Sequence, residues 1–196
     1  MFTPEATIGP FYPGVFALES MPRDLSAVAP ILEHKPQGQP IRLSGRFFDS
    51  NGAPVPSLIV EVWQANAYGR YRHPSDRSDR PLDPQFDGFA RIRTTDDGFY
   101  ELRTIKPGAH PVSEGSSLMR APHLRFTIFA SGIDRVVTQI FFADEPLNNT
   151  DPVLNCIADP SVRRRLVARR EGDGEYLLDI FMRGQDETPF FDDWVR

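Results

Sequence analysis

Cysteine occurs once in this 196-residue chain, as Cys156, so neither an internal disulfide nor a cysteine-rich zinc site can form. Lysine is almost as scarce: Lys35 and Lys106 are the only two, and arginine supplies the remaining basic residues. No apolar run approaches the roughly 20 residues that a membrane-spanning helix needs. A positive field is missing too, since the formal net charge is −5 and the pI about 5.4, which argues against recruitment of nucleic acid. There is no nucleophile elbow, no phosphate-cradling glycine loop and no Cys-x-x-Cys. The opening residues, Met1-Phe2-Thr3-Pro4-Glu5, lack the basic and apolar regions of a secretory signal. With the single cysteine, this reads as a cytoplasmic protein.

Nineteen prolines and 14 glycines are spread along the chain, which favours short elements, mostly strands, joined by turns. Residues 1–40 are proline-rich with little periodicity and read as an extended arm lying on a partner subunit; residues 41–196 read as the domain itself. From Ile41 the apolar period is two, with Ile41, Leu43 and Phe47 alternating against Arg42, Ser44 and Arg46 up to an Asn51-Gly52 turn. Further strands are expected over Leu58–Trp63, Phe89–Thr94, Phe99–Thr104, Leu124–Ile128, Val136–Phe142 and Tyr176–Met182. Asp96-Asp97-Gly98 marks a hairpin between the third and fourth of these seven. One short helix is expected from Pro160 to about Arg170, capped by Asp159 and ending in arginines. Long polar loops over 64–87 and 105–122 suggest function or an interface. The expected fold is all-β, an antiparallel β-sandwich with long loops and one short C-terminal helix.

His123 and Arg125 stand two apart on a strand and so share a face. A second histidine there would chelate a metal, whereas arginine has no lone pair and carries a fixed positive charge. The pair reads equally as a structural histidine beside a carboxylate-binding arginine. Tyr71, between Arg70 and Arg72, is either an aromatic anchor or a phenol whose pKa the neighbouring charges lower towards that of a metal ligand. His110 is a loop histidine.

Several segments taken together resemble the intradiol aromatic-ring dioxygenases. They are Thr7-Ile-Gly-Pro-Phe-Tyr12, Glu61-Val-Trp-Gln-Ala65, Gly69-Arg-Tyr-Arg-His73, Thr104-Ile-Lys-Pro-Gly108, Arg120-Ala-Pro-His123 and Asp151-Pro-Val-Leu154. The closing Arg183-Gly-Gln-Asp-Glu-Thr-Pro-Phe-Phe191 is similar to the α subunits of the two-subunit, protocatechuate-cleaving branch. The resemblance implies a β-sandwich and, in ligand-bearing members, Fe(III) held by two tyrosinates and two histidines; phenolate oxygens stabilise a hard ferric centre. It also implies a hetero-oligomer in which a β subunit carries the Fe(III). That partner opens protocatechuate (3,4-dihydroxybenzoate) with O2 to 3-carboxy-cis,cis-muconate, while the α-type chain completes the pocket.

Carried across residue by residue, Tyr71 matches the first tyrosinate and His123 the first histidine. His110 stands at the second tyrosinate position and Arg125 at the second histidine position. Arg120 and Gln139 match positions flanking the iron. The resemblance therefore implies a vestigial or altered iron site, with no metal expected in this chain; Tyr71, His110 and His123 are the donors if one binds. Thr7, Gly9, Pro10 and Phe11 match the α-type arm that borders substrate. Ser131 stands where α-type chains have a substrate-facing arginine, a role that Arg135 is the candidate to take. Two other readings stay open: a self-sufficient catechol-type dioxygenase using Tyr71, His110 and His123, and a non-catalytic β-sandwich binding module.

Overall fold

A computed structural model describes residues 35–130 and 134–191. The expected arm therefore lies almost wholly outside the described residues, as do Thr7, Gly9, Pro10, Phe11 and Ser131.

Eleven strands form among the described residues: β1 (Pro40–Phe48), β2 (Ile59–Trp63), β3 (Phe89–Arg93), β4 (Phe99–Ile105), β5 (His110–Pro111), β6 (Met119–Arg120), β7 (His123–Ala130), β8 (Asp134–Phe142), β9 (Val167–Gly172), β10 (Glu175–Leu177) and β11 (Ile180–Phe181). One layer contains β3, β2, β7 and β8, and the other β4, β1, β10, β11 and β9. A parallel contact of β8 with β9, at Phe141↔Val167 and Phe142↔Ala168, joins them. The period-two residues face each other between the layers. Leu43 and Phe47 of β1, Tyr100 and Leu102 of β4, Val60 and Val62 of β2 and Phe126 of β7 are all buried in one cluster. Tyr100 meets Phe126 edge-on across the gap, with ring centroids 5.9 Å apart. Burying each large side chain of this kind contributes about 1.5–3 kcal/mol, so alternation alone stabilises a two-layer arrangement.

All seven expected strands form, but pairing departs from expectation in three places. The turn before Gly98 is present, with Gly98 N donating to the Thr95 carbonyl at 3.0 Å. It joins no hairpin: β3 pairs with β2 and β4 with β1. The turn reverses the chain while handing it from one layer to the other, because the apolar faces of β3 and β4 must meet the core from opposite sides. The last expected strand divides into β10 and β11, both parallel to β1, so the sheet is mixed rather than purely antiparallel. The break is at Leu178, whose carbonyl accepts the Tyr100 hydroxyl at 2.7 Å and passes over Gly45, where a Cβ would stand 1.8 Å from that oxygen. Only glycine permits this approach.

The helix is the third correction. Asp159 does cap it, accepting from Ser161 N at 2.7 Å, but the α-helix α1 spans only Pro160–Arg163. A 3-10 turn, Arg164–Leu166, follows, and then the chain becomes β9. Ala168 is fully buried between β8 and β10, whereas Arg169 and Arg170 face solvent. The energy of linking two layers outweighs helix propensity here. The loop 105–122 also contains the small hairpin β5–β6.

Candidate functional site

The sheet face turned away from the core carries the candidate residues. Because Val62, Leu124 and Phe126 point inward, Trp63, His123 and Arg125 point outward, and Arg125 lies opposite both Trp63 on β2 and Gln139 on β8. Above this face, the loop 64–87 and the β5–β6 hairpin enclose a cavity of about 1200 Å³. Tyr71, His110, Arg120, His123, Arg125 and Gln139 all line it. Folding thus brings together, from four parts of the chain, the six residues assigned to the altered iron site. Arg135 is placed differently: it lies on β8 four residues before Gln139 and is not among the lining residues.

The recognisable motifs hold this geometry. Buried Gln64 accepts from Thr104 Oγ1 at 2.7 Å and donates to the Ile105 carbonyl at 3.0 Å, tying the Glu61–Ala65 segment to Thr104–Gly108. Asn66 Oδ1 accepts from Tyr68 N and Arg70 N, at 2.9 and 3.0 Å, which folds the start of the long loop. Gly69, at φ +75°, lies so close to the Ala109 carbonyl that a Cβ would approach it to 2.1 Å. Asp76 then accepts from Tyr71 N at 2.8 Å, and the Tyr71 ring stacks on Trp63 with centroids 5.9 Å apart. His110 follows edge-on at 5.4 Å from Tyr71, and His123 lies 5.5 Å beyond it.

Asp151 locks the other side. It is fully buried and accepts from Arg120 Nε at 2.9 Å, Ala121 N at 2.7 Å, and Val153 N and Leu154 N, each at 2.9 Å. This explains physically why Arg120–His123 and Asp151–Leu154 recur as a pair of motifs. Arg120 Nη2 also donates to Gln139 Oε1. The sequence reading did not single out Trp63, Asp76 or Asp151. Trp63 was accessible to it, since a residue alternating with buried Val60 and Val62 must share a face with Arg125; the other two depend on tertiary contacts.

Both histidines present the same tautomer. The His110 ring approaches the Pro111 carbonyl through Nδ1 at 2.9 Å, and His123 approaches the Ala121 carbonyl through Nδ1 at 2.7 Å. A carbonyl only accepts, so each Nδ1 carries the proton and each Nε2 keeps its lone pair. His110 Nε2 is buried with no hydrogen-bond partner among the described residues.

Charge behaves differently from the expectation for Tyr71. Arg70 and Arg72, its sequence neighbours, are turned to other partners, the Arg80 carbonyl and Asp87 respectively. Burial pushes the Tyr71 hydroxyl up to about 12, against the downward pull of Arg120 and Arg125 and with a smaller upward contribution from Asp76. Desolvation wins, and the phenol stays protonated at neutral pH. Burial also lowers His110, and lowers His123 well below its ordinary value of 6.5, with Arg120 adding to both.

The unfolded chain therefore binds protons on these histidines before the folded chain does. The stability they contribute is complete above pH 6.5 and is lost as the pH falls below it. Urea midpoints measured through this range should decline on acidification, and His123→Gln should flatten the decline. An unchanged slope in that variant would contradict this assignment.

Comparison with known proteins agrees with this architecture. The dioxygenase family model matches residues 16–180. The chain is 37% identical over 199 residues to the protocatechuate 3,4-dioxygenase alpha chain of Pseudomonas putida, covering 97% of this chain and 96% of that one. It is 41% identical over 163 residues to the corresponding beta chain of Burkholderia cepacia, covering 79% and 69%. The dioxygenase domain of a carbohydrate-binding fusion protein from Streptomyces sp. SirexAA-E superposes with a TM-score of 0.57 at 26% identity, covering 93% of this chain and 98% of that domain. Shared motifs, a shared two-layer fold and near full-length similarity to curated relatives establish that the chain belongs to the intradiol ring-cleavage dioxygenase family.

Proposed function

We propose that this chain is the α-type subunit of a protocatechuate 3,4-dioxygenase. In this reading it assembles with a homologous iron-bearing β subunit and completes the pocket in which protocatechuate is opened by O2 to 3-carboxy-cis,cis-muconate. The family is Fe(III)-dependent. The observation that carries the reading is Arg125 on the cavity floor, beside His123 and opposite Gln139.

The donor set here does not suit a resident ferric ion. Fe(III) favours anionic oxygen ligands, whereas burial keeps the Tyr71 phenol protonated. A guanidinium offers no lone pair, and the two nearby arginines oppose added positive charge. Among the described residues, no group of three or more His, Cys, Asp and Glu side chains could hold a metal. The near full-length similarity to an alpha chain supports the same conclusion. The extended arm, residues 1–40, is proposed to lie on the partner, with Thr7, Gly9, Pro10 and Phe11 bordering its substrate. Arg135 is proposed to supply a positive charge near Ser131. A cytoplasmic location is proposed from the lone cysteine and the character of the opening residues; among the described residues no helix is long and apolar enough to cross a membrane.

The test is an iron assay and visible spectrum of the full chain, alone and co-expressed with its β-type partner. The lone chain should hold substoichiometric iron and show no turnover, and the pair should cleave protocatechuate. A lone chain with one ferric ion and a tyrosinate charge-transfer band would overturn the reading. One observation favours a self-sufficient enzyme using Tyr71, His110 and His123: the buried, unpartnered lone pair of His110 Nε2. The same assay decides between the two.

A further inference from the structure

A cavity that has lost its metal chemistry has no obvious need for its present lining, yet this one is well ordered. One wall is aromatic, formed by Trp63 and Phe89 with Tyr71 stacked on the indole. The floor carries Arg120 and Arg125. Arg120 is largely committed to Asp151 and Gln139. Arg125 has five N–H donors, more than one protein contact can use. The Coulomb field at Tyr71 is dominated by these two cations over the single carboxylate of Asp76. At His123 the field is likewise cationic, from Arg120 and Arg125. Such a floor disfavours an added cation and favours an added anion, more strongly in a partly water-excluded cavity than at an open surface. Finally, His110 Nε2 is an acceptor left without a donor, and a buried unsatisfied acceptor is costly unless a ligand or water supplies a hydrogen.

We propose that this cavity is a non-turnover binding site for a small hydroxylated aromatic carboxylate. The ligand's ring packs against Trp63 and Tyr71, its carboxylate meets the Arg125 guanidinium, and its hydroxyl donates to His110 Nε2. Each feature of the ligand answers one feature of the cavity: a π-face for the stacked wall, a negative charge for the cationic floor, a hydroxyl for the orphan acceptor. No bond is made or broken. The inference rests on the proposal that this chain keeps no ferric ion, and it adds that the altered site still recognises a ligand. Occupancy would then tie the loop 64–87, through Tyr71, to the concentration of an aromatic acid.

The probe is 4-hydroxybenzoate, titrated into the full chain after treatment with a chelator, with binding read by calorimetry and by tryptophan fluorescence. One saturable site per chain is expected, with benzoate weaker and uncharged benzyl alcohol weaker still. Arg125→Gln should weaken 4-hydroxybenzoate by about tenfold or more, the loss typical of a charge-assisted hydrogen bond, and Arg125→Lys should recover part of it. His110→Ala should remove the preference for 4-hydroxybenzoate over benzoate while leaving benzoate binding intact, a change in selectivity that misfolding cannot mimic. Absence of saturable binding, or equal affinity in wild type and Arg125→Gln, would overturn the inference. Its failure is separable from failure of the function reading. A chain free of both iron and probe sinks only the ligand site; a chain that takes up one ferric ion, and binds the probe only then, sinks the subunit assignment.

Discussion

The double variant His110→Tyr with Arg125→His is expected to convert a chain that holds no iron into one that binds a single ferric ion and becomes coloured. The two substitutions restore, at the positions identified by family resemblance, the phenol and imidazole that His110 and Arg125 replace. They also remove a permanent positive charge from the cavity floor and supply a second ionisable oxygen. Tyr71 stands beside position 110, with ring centroids 5.4 Å apart, and His123 is 5.5 Å beyond it, so the new side chains join donors already in place. Ferric affinity should then follow from ligand type, since phenolate oxygens suit a hard trivalent ion. Each new tyrosinate should lose its proton to the metal, which overcomes the upward push of burial. Iron analysis and a visible charge-transfer band measure the outcome. Arg125→His alone should bind less strongly, because only one anionic oxygen would be available. A folded double variant without iron would show that more than these two positions separates this cavity from a ferric centre.

Asp151→Asn is expected to be the most damaging single conservative change, costing about 3–5 kcal/mol, the range for removing one partner of a buried ion pair. The carboxylate is fully buried, and its two oxygens accept from four donors: the Arg120 guanidinium and the backbone N–H groups of Ala121, Val153 and Leu154. An amide turns one of those acceptors into a donor that faces other donors, and it leaves the Arg120 charge uncompensated at 2% exposure. Against a typical total stability of about 5–15 kcal/mol, that loss is large. Urea unfolding measures it. Asp186→Asn, which breaks the pair to Arg165 at a carboxylate 73% exposed, is the control and should leave the midpoint nearly unmoved. Equal effects at both positions would refute the central place given to Asp151.

Much of the candidate site could be read in the sequence because its chemistry is local to residue type. Arginine cannot coordinate at any position in any fold, so the identity of residue 125 carried its meaning before any coordinate. The spacing of His123 and Arg125 put both on one strand face, and the structure places them there together with Gln139 on the adjacent strand. The electrostatics of Tyr71 could not be read this way. Its sequence neighbours Arg70 and Arg72 turn elsewhere, while the cations that act on it, Arg120 and Arg125, arrive from about fifty residues further along the chain, and burial overrides both. Whether desolvation or charge prevails depends on what covers a group, which is a property of packing.

The strands show the same division. Period-two alternation from Ile41 to Phe47 and over the other segments specified which residues would be strands and which faces would be buried, since that pattern is dictated by the geometry of an extended chain. The sequence also determined the cap at Asp159 and the turn before Gly98, both local hydrogen-bonding devices. Tertiary structure decided the partners. It sent β3 and β4 to different layers, drew residues 167–172 out of a helix into β9, and bent Leu178 over Gly45 to split the final strand. Local pattern fixes a residue's conformation within a few neighbours, whereas pairing is settled by the burial of many distant side chains at once, and only the folded chain performs that sum.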